Sequence, residues 1–255
     1  LDAYGTKAVN YNRDVEVFPV LSRIFEKIAD KSPYQSPTDM GVNMAGYCIV
    51  NDKAACGAGC EEIIRRYYKA LVDLKMDRVA PETVSKIELL MNEAGVTAED
   101  RTAVRAARRK AEDTGAPAMA LELADGTMVT GKTSSLFGPS AAVIINTLKA
   151  LGHIPKETPL IAEEVVRPIQ DLKVNILRNH NPRLHSDELL IALAMTALKD
   201  PNAALAMRQL DRMRGLEAHS TVMLPEEDAN VFRKLGVNVT CDPAITQKKL
   251  YRPNY

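Results

Sequence analysis

The sequence predicts an α/β protein, more closely α+β, with an N-terminal helical subdomain over residues 1–115 and a mixed-sheet α/β subdomain over residues 116–255. Three observations predict it. Apolar residues recur at helical spacing through the first part, the rhythm turns to β after Ala116-Pro117, and a strand, helix, strand order closes the chain. With 255 residues and 46% hydrophobic content, the chain is long enough to bury a substantial core.

In the helical part, Phe18, Leu21, Ile24, Phe25 and Ile28 share one apolar face, and Pro19 is tolerated in a first turn. Ile63, Ile64, Tyr67, Tyr68, Leu71 and Leu74 repeat the pattern. Pro81 opens a third helix through Val84, Ile87, Leu90 and Met91, which Gly95 closes at the position where a left-handed residue is favoured. A fourth runs from Ala98 to about Thr114. Its Arg101, Arg105, Arg108 and Arg109 form a basic stripe flanked by Glu99, Asp100, Glu112 and Asp113, which reads as a solvated or ion-paired face rather than a nucleic-acid surface.

The first β element contains the most informative segment of the chain. Residues 126–133 read Gly-Thr-Met-Val-Thr-Gly-Lys-Thr, matching the phosphate-loop pattern letter for letter. A true phosphate loop leaves a buried strand, wraps its N–H groups around phosphates and enters a helix at the Lys-Thr pair. Here Met119, Leu121 and Leu123 alternate with Ala120, Glu122 and Ala124, Asp125-Gly126 makes a turn, and Thr127-Met128-Val129-Thr130 is itself β-prone. The prediction is a hairpin over 118–132, with the N–H groups of the loop's front half committed to a ladder. The back half, Gly131, Lys132, Thr133, Ser134 and Ser135, remains an anion-binding turn leading into a helix over 139–151.

Helices are then expected near 163–178, 186–199 and 201–213, followed by strands at 218–224 and 237–241 with a helix at 225–235 between them. This spacing suits a βαβ crossover in a mixed sheet.

Catalytic candidates come from loops. Asn179-His180-Asn181-Pro182-Arg183-Leu184-His185-Ser186-Asp187 places Arg183 and His185 in a polar connection, where a guanidinium can fork onto an oxyanion and an imidazole can move a proton, while Ser186 or Asp187 can cap the next helix. Lys132, Arg183 and His185 are expected in one cleft. Cys241 lies at the end of its strand, the ligand side of open α/β sheets, whereas His219 begins its own strand; if the strands are parallel the two sit at opposite edges. Near the N-terminus, Asn12, Arg13, Asp39 and Asn43 are further polar candidates.

Thirty-three basic residues balance thirty-three acidic ones, so no global field draws nucleic acid or an anionic membrane. No apolar run approaches the roughly 20 residues that span a bilayer, and the N-terminus lacks signal-peptide order. The expected location is the cytoplasm. Cysteines 48, 56, 60 and 241 form no CxxC pair and read as reduced thiols, with no metal set and no cofactor legible. The chain opens on Leu1 rather than Met, which suits a processed product or one piece of a longer polypeptide.

The strings Tyr11-Asn12-Arg13-Asp14-Val15-Glu16-Val17-Phe18-Pro19, Ser36-Pro37-Thr38-Asp39-Met40-Gly41-Val42-Asn43-Met44, Thr130-Gly131-Lys132-Thr133-Ser134, Asn181-Pro182-Arg183-Leu184-His185, Glu217-Ala218-His219-Ser220-Thr221 and Asn238-Val239-Thr240-Cys241 together resemble a bacterial family of uncharacterised proteins, described only as a domain of unknown function. Members are longer, and this chain resembles their C-terminal half. The resemblance implies a three-part architecture whose C-terminal three-layer α/β sandwich is similar in topology to cytidine-deaminase folds. The zinc signature of those enzymes, His-x-Glu with Pro-Cys-x-x-Cys, is absent. It also implies a Gly-Pro-Gly-Ser-Gly-Lys phosphate loop in the family's N-terminal half, a segment this sequence lacks.

Two readings of function follow. The chain is part of a phosphate- or nucleotide-using bacterial enzyme, with a phosphate-containing small molecule as ligand and the N-terminal half of the same protein as partner. Alternatively it is a structural, self-associating module that forms a homo-oligomer.

Overall fold

The computed structural model describes residues 11–34, 37–44 and 52–245, and its contacts divide the chain into two compact units between Arg101 and Thr102. The first unit is helical: α1 (Tyr11–Ala29), α2 (Pro37–Met44), α3 (Asp52–Lys75) and α4 (Pro81–Ala94). Ile63, Ile64 and Tyr68 of α3 are fully buried, as is Met40 of α2, and Val84, Leu90 and Met91 of α4 are buried too. Gly95 ends α4 in the left-handed region at φ 66°, and the N–H groups of Gly95 and Val96 donate to Asn92 and Met91 carbonyls. Asp39 is buried in the first turn of α2. The side chains of Asn12, Arg13 and Asn43 lie outside the described residues, as does Cys48. Of the basic stripe, Arg101 takes the ion-paired alternative and is buried. It is 1% exposed and donates to Glu61 at 2.8 Å, because a guanidinium taken from water needs a carboxylate in reach.

The second unit is a three-layer α/β assembly around a four-stranded sheet in the order β2-β1-β3-β4, formed by β1 (Ala118–Glu122), β2 (Met128–Lys132), β3 (Glu217–Ser220) and β4 (Asn238–Cys241). The hairpin expected from the sequence is present. β1 and β2 pair antiparallel with Met119 opposite Gly131, and the turn between them holds Gly126 at φ 81°. Asp125 Oδ1 accepts from Thr127 N–H at 2.9 Å, a local bond that fixes the turn. β3 pairs antiparallel with β1 and parallel with β4, across the helix α10 (Glu226–Leu235). Residues alternate between the sheet's faces, so Ala118, Ala120 and His219 meet α5 (Thr102–Thr114), while Met119, Leu121 and Gly131 meet α6 (Pro139–Leu151). Thus α5, which composition groups with the helical part, packs on the sheet.

Beyond α6 lie α7 (Glu163–Asp171), continued by a π-helical turn at Leu172–Ile176, then α8 (Ser186–Thr196) and α9 (Pro201–Met207). Helix α6 is apolar on nearly every side, with Ala141, Val143, Ile144, Ile145, Leu148 and Leu151 buried, which is the composition of a helix covered by other elements. Leu189 and Leu193 of α8, Ala203 and Ala206 of α9 and Phe232 of α10 join it in one core.

Gly131 is where α6 touches the sheet. A Cβ there would lie 2.3 Å from the Val143 backbone nitrogen and 2.6 Å from the Ala142 carbonyl carbon, so only hydrogen fits. Gly131→Ala must push a helix backbone off the sheet and is expected to lower stability by about 1–3 kcal/mol or more. Gly57→Ala, in α3 with nothing outside its own helix turn within 4 Å of the new Cβ, is expected to raise it by roughly 0.5–1 kcal/mol. Urea denaturation of both variants checks the contrast.

Candidate functional site

A cavity of about 220 Å³ opens in the second unit, and the beginnings of three helices meet in its wall. Gly138, Pro139 and Ser140 bring the start of α6, Leu184 and His185 the start of α8, and Leu224, Pro225 and Asp228 the start of α10. Neither α6 nor α10 has a side-chain cap on its first turn. Each helix start carries N–H groups without intrahelical acceptors and the positive end of the helix dipole. Pro117, Thr133, Asn181, Arg183, Val222 and Met223 complete the wall.

The local chemistry that builds this wall is traceable. The chain leaves β2 at Lys132, and Thr133 N–H donates to the Pro117 carbonyl. Ser134 Oγ accepts from the Leu136 and Phe137 N–H groups, curling the turn before α6. Leu184 N–H then donates to Leu136 and Gly138 N–H to Leu184, so the loop before α8 lies as a short parallel bridge along the start of α6. Asn179 and Asn181 side chains each accept a backbone N–H two residues on, shaping the loop that carries Arg183. Arg183 Nε donates to the Ser134 carbonyl at 2.7 Å, while its terminal nitrogens make no hydrogen bond among the described residues.

Underneath, the π-helical turn places Lys173 inside the protein, 3% exposed. Its ammonium donates to the Arg183 carbonyl at 2.7 Å and to Glu188 Oε2 at 2.6 Å. The same Glu188 oxygen accepts from His185 N–H at 2.8 Å, so one buried cation ties the loop to the helix it precedes. Asp228, 4% exposed, accepts from Ser186 N–H at 2.8 Å through Oδ1. Its Oδ2 lies 3.7 Å from His185 Nδ1, an ion-pair contact rather than a hydrogen bond. The facing Asp228 carboxylate, against the opposing effect of burial, raises His185 above its ordinary value. Burial works to raise Asp228, but His185 and Ser186 outweigh it and hold the carboxyl below its ordinary value. Ser140 is 1% exposed, and its Oγ, like that of buried Ser186, has no hydrogen-bond partner among the described residues.

The expected site residues therefore separate. Arg183 and His185 share the cavity wall with Thr133. Lys132 is exposed and outside the wall, so the expected cleft of Lys132, Arg183 and His185 does not form. Gly131 is a packing position against α6, and Ser134 and Ser135 are exposed turn residues. Asp228 and Lys173 carry no pattern that marks them in the sequence, whereas Ser140 belongs to the serine-rich turn before α6. Asp228 reads in sequence as one of three acids complementing the start of α10, and Lys173 as one charge of an amphipathic helix.

A second polar cluster lies at the far edge of the sheet, and it overturns an expectation. β3 ends at Ser220 rather than near Leu224, so His219 sits beside Thr240, and Ser220 beside Cys241, at the same ends of parallel strands. The reason is local: Ser220 Oγ donates to the Val222 carbonyl and accepts from its N–H, turning the chain out of the sheet. His219 is fully buried, with Nδ1 2.9 Å from Thr240 Oγ1 and Nε2 3.5 Å from Asp242 Oδ1. Arg108 of α5 grips Asp242 through two nitrogens, at 2.8 and 3.3 Å. Burial works to raise Asp242, but His219 and Arg108 prevail and bring it down to about 2. Burial pushes the Cys241 thiol up to about 11, which keeps it protonated at neutral pH. Among the described residues no three His, Cys, Asp or Glu side chains are grouped to hold a metal ion, and no helix is long and apolar enough to cross a membrane.

Fold and site define the class first: an α/β protein whose mixed sheet carries a cavity walled by helix starts. Residues 99–251 match the domain of unknown function DUF1846, C-terminal, and residues 1–95 match DUF1846, N-terminal. The chain belongs to this family. It is 63% identical over 252 residues to the UPF0371 protein of Streptococcus uberis and to that of Streptococcus pyogenes serotype M5, covering 99% of this chain and 51% of each relative. The chain thus spans about half the length of the curated relatives it matches, and it includes residues of both family domains rather than of a C-terminal half alone.

The titration of these pairs fixes two pH dependences. His185 is raised in the folded state, so its contribution to stability is complete below the unfolded value near 6.5 and is lost as pH rises through the higher folded value. His185→Gln is expected to flatten the thermal stability profile in that window. Asp242 is depressed, so its contribution is present above 3.8 and is lost as pH falls toward about 2. Arg108→Met is expected to move acid unfolding to higher pH, read by circular dichroism during an acid titration.

Proposed function

We propose that the cavity binds a small oxyanion, the phosphate group of a small molecule, as part of a phosphate-using bacterial enzyme. The observation that carries this reading is the meeting of three helix starts, two of them uncapped, in one wall with Arg183. Backbone N–H groups at helix starts are ready-made oxyanion donors, and the dipoles favour negative charge. The buried, unpartnered Ser140 Oγ supports it independently, since a hydroxyl withdrawn from water costs stability until something accepts or donates to it.

Arg183 is assigned ligand binding and His185 proton donation, its raised basicity favouring the imidazolium beside an anion. Cys241 takes no part in this assignment, and neither does the exposed Lys132. The volume of about 220 Å³ lies below the roughly 300–1,000 Å³ of pockets for drug-sized ligands, which favours a phosphate group over a whole nucleotide. The Gly-Pro-Gly-Ser-Gly-Lys segment implied by the family resemblance is absent here, so the proposal rests on the cavity.

Isothermal titration with inorganic phosphate tests it. Binding is expected to weaken about tenfold or more in Arg183→Ala, the loss of a charge-assisted hydrogen bond worth roughly 1.5–3 kcal/mol, and to be unchanged in Lys132→Ala. Phosphate binding that follows Lys132 instead would sink the assignment.

A second reading, self-association, is favoured by a different observation. Ile191, Met195 and Leu198, in the second half of α8 and just beyond it, are 64%, 63% and 76% exposed at spacings of four and three residues, one stripe of a helical surface. Sedimentation equilibrium of the wild type and of Leu198→Glu decides it. A concentration-dependent dimer that the charge abolishes supports the module, and a monomer at all concentrations removes it.

A further inference from the structure

An anion cavity with a carboxylate in its wall is electrostatically unusual, and Asp228 is such a carboxylate. The groups that face it are known. Ser186 N–H of α8 satisfies Oδ1 at 2.8 Å, His185 stands 3.7 Å from Oδ2, and Arg183 shares the wall. Lys173 of the π-helical turn is engaged with Glu188 and the Arg183 carbonyl instead. No donor lies within hydrogen-bond distance of Oδ2 among the described residues. Its lone pairs therefore have room for a donor brought by a ligand, whereas a ligand presenting only negative oxygens meets like charge there.

We propose that Asp228 makes this cavity select an oxyanion that still carries a proton, inorganic phosphate or a singly ionised phosphate monoester, and reject a fully deprotonated one such as sulfate. The inference deepens the reading of the cavity as an oxyanion site and rests on it. Three helix starts, Arg183 and the Ser140 hydroxyl attract any tetrahedral anion of suitable size. The carboxylate adds the discrimination. A phosphate hydroxyl donates to Oδ2 in a charge-assisted bond, while sulfate, isosteric but without a proton at neutral pH, places an oxygen against it. The selection is a difference between one bond made and one repulsion suffered, so shape plays no part in it.

Four tetrahedral anions separate charge from shape. At pH 7, phosphate and arsenate retain a proton, whereas sulfate and selenate do not. Isothermal titration of the unmodified protein is expected to show phosphate and arsenate binding at least tenfold more tightly than sulfate and selenate. In Asp228→Asn, whose amide can donate to an anion, sulfate is expected to gain affinity and the preference to shrink to a few-fold. Equal binding of all four anions by the unmodified protein overturns the selection and leaves the oxyanion site standing. No binding of any of them overturns the site together with the selection. An unaltered preference in a folded Asp228→Asn, judged by its circular dichroism, assigns the discrimination elsewhere and overturns the role of Asp228. Should the variant not fold, the four-anion series on the unmodified protein still decides the selection.

Discussion

The contact of α6 with β2 at Gly131 is the constraint on which the second unit depends. Because nothing larger than hydrogen separates Gly131 from the Val143 and Ala142 backbone, the helix axis is fixed against the sheet at one point. From there the chain of positioning runs outward. The turn after Lys132 has to bring the start of α6 back over the end of the sheet, and it does so with bonds from Thr133 to Pro117 and from Leu136 and Phe137 to Ser134. The loop before α8 then pairs with that start through Leu184, which sets Arg183 and His185. The starts of α6 and α8 in the cavity wall thus depend on one missing methyl group.

Much of this architecture was legible in the residues, and the hairpin shows why. Alternation along 119–123, an Asp-Gly turn and a β-prone return are local signals, each set by side chains within a few positions. They outweighed an eight-residue motif match, and the ladder of β1 and β2 agrees with them. The motif's last glycine nevertheless has a role that no local signal reveals, since the atoms it accommodates belong to residues eleven and twelve positions further on. The end of β3 failed for a related reason. Thr221-Val222-Met223-Leu224 is as β-prone as a strand, but the turn at Ser220 leaves isolated backbone bonds, Thr221 N–H to Ala118 and Met223 N–H to Ala244, in place of a continued ladder.

The candidate site was half legible. A polar loop with Arg183 and His185 is conspicuous because such groups have little reason to cluster between helices. Asp228 and Lys173 were concealed because each also fits an ordinary helical pattern, an acid in a first turn and a lysine along an amphipathic face. Their burial at 4% and 3% separates them from that background. A charged group removed from water has to be compensated, and tracing the compensation leads from Lys173 to Glu188 and the Arg183 carbonyl, and from Asp228 to Ser186 and His185.

The π-helical turn at Leu172–Ile176 has a consequence of phase. Such a turn is an α-helix with one residue too many, and because the helix ends there the surplus acts on the last turn alone, rotating its side chains by up to about 100° relative to an unbroken α-helix of 3.6 residues per turn. Length and orientation are therefore coupled at this point. Two chains of this family that differ by a single deletion between residues 172 and 176 would release the chain into the loop carrying Arg183 from a different point around the helix, even with every other residue identical. Alignments that place a gap there carry information about the loop holding Arg183 that residue identity alone does not.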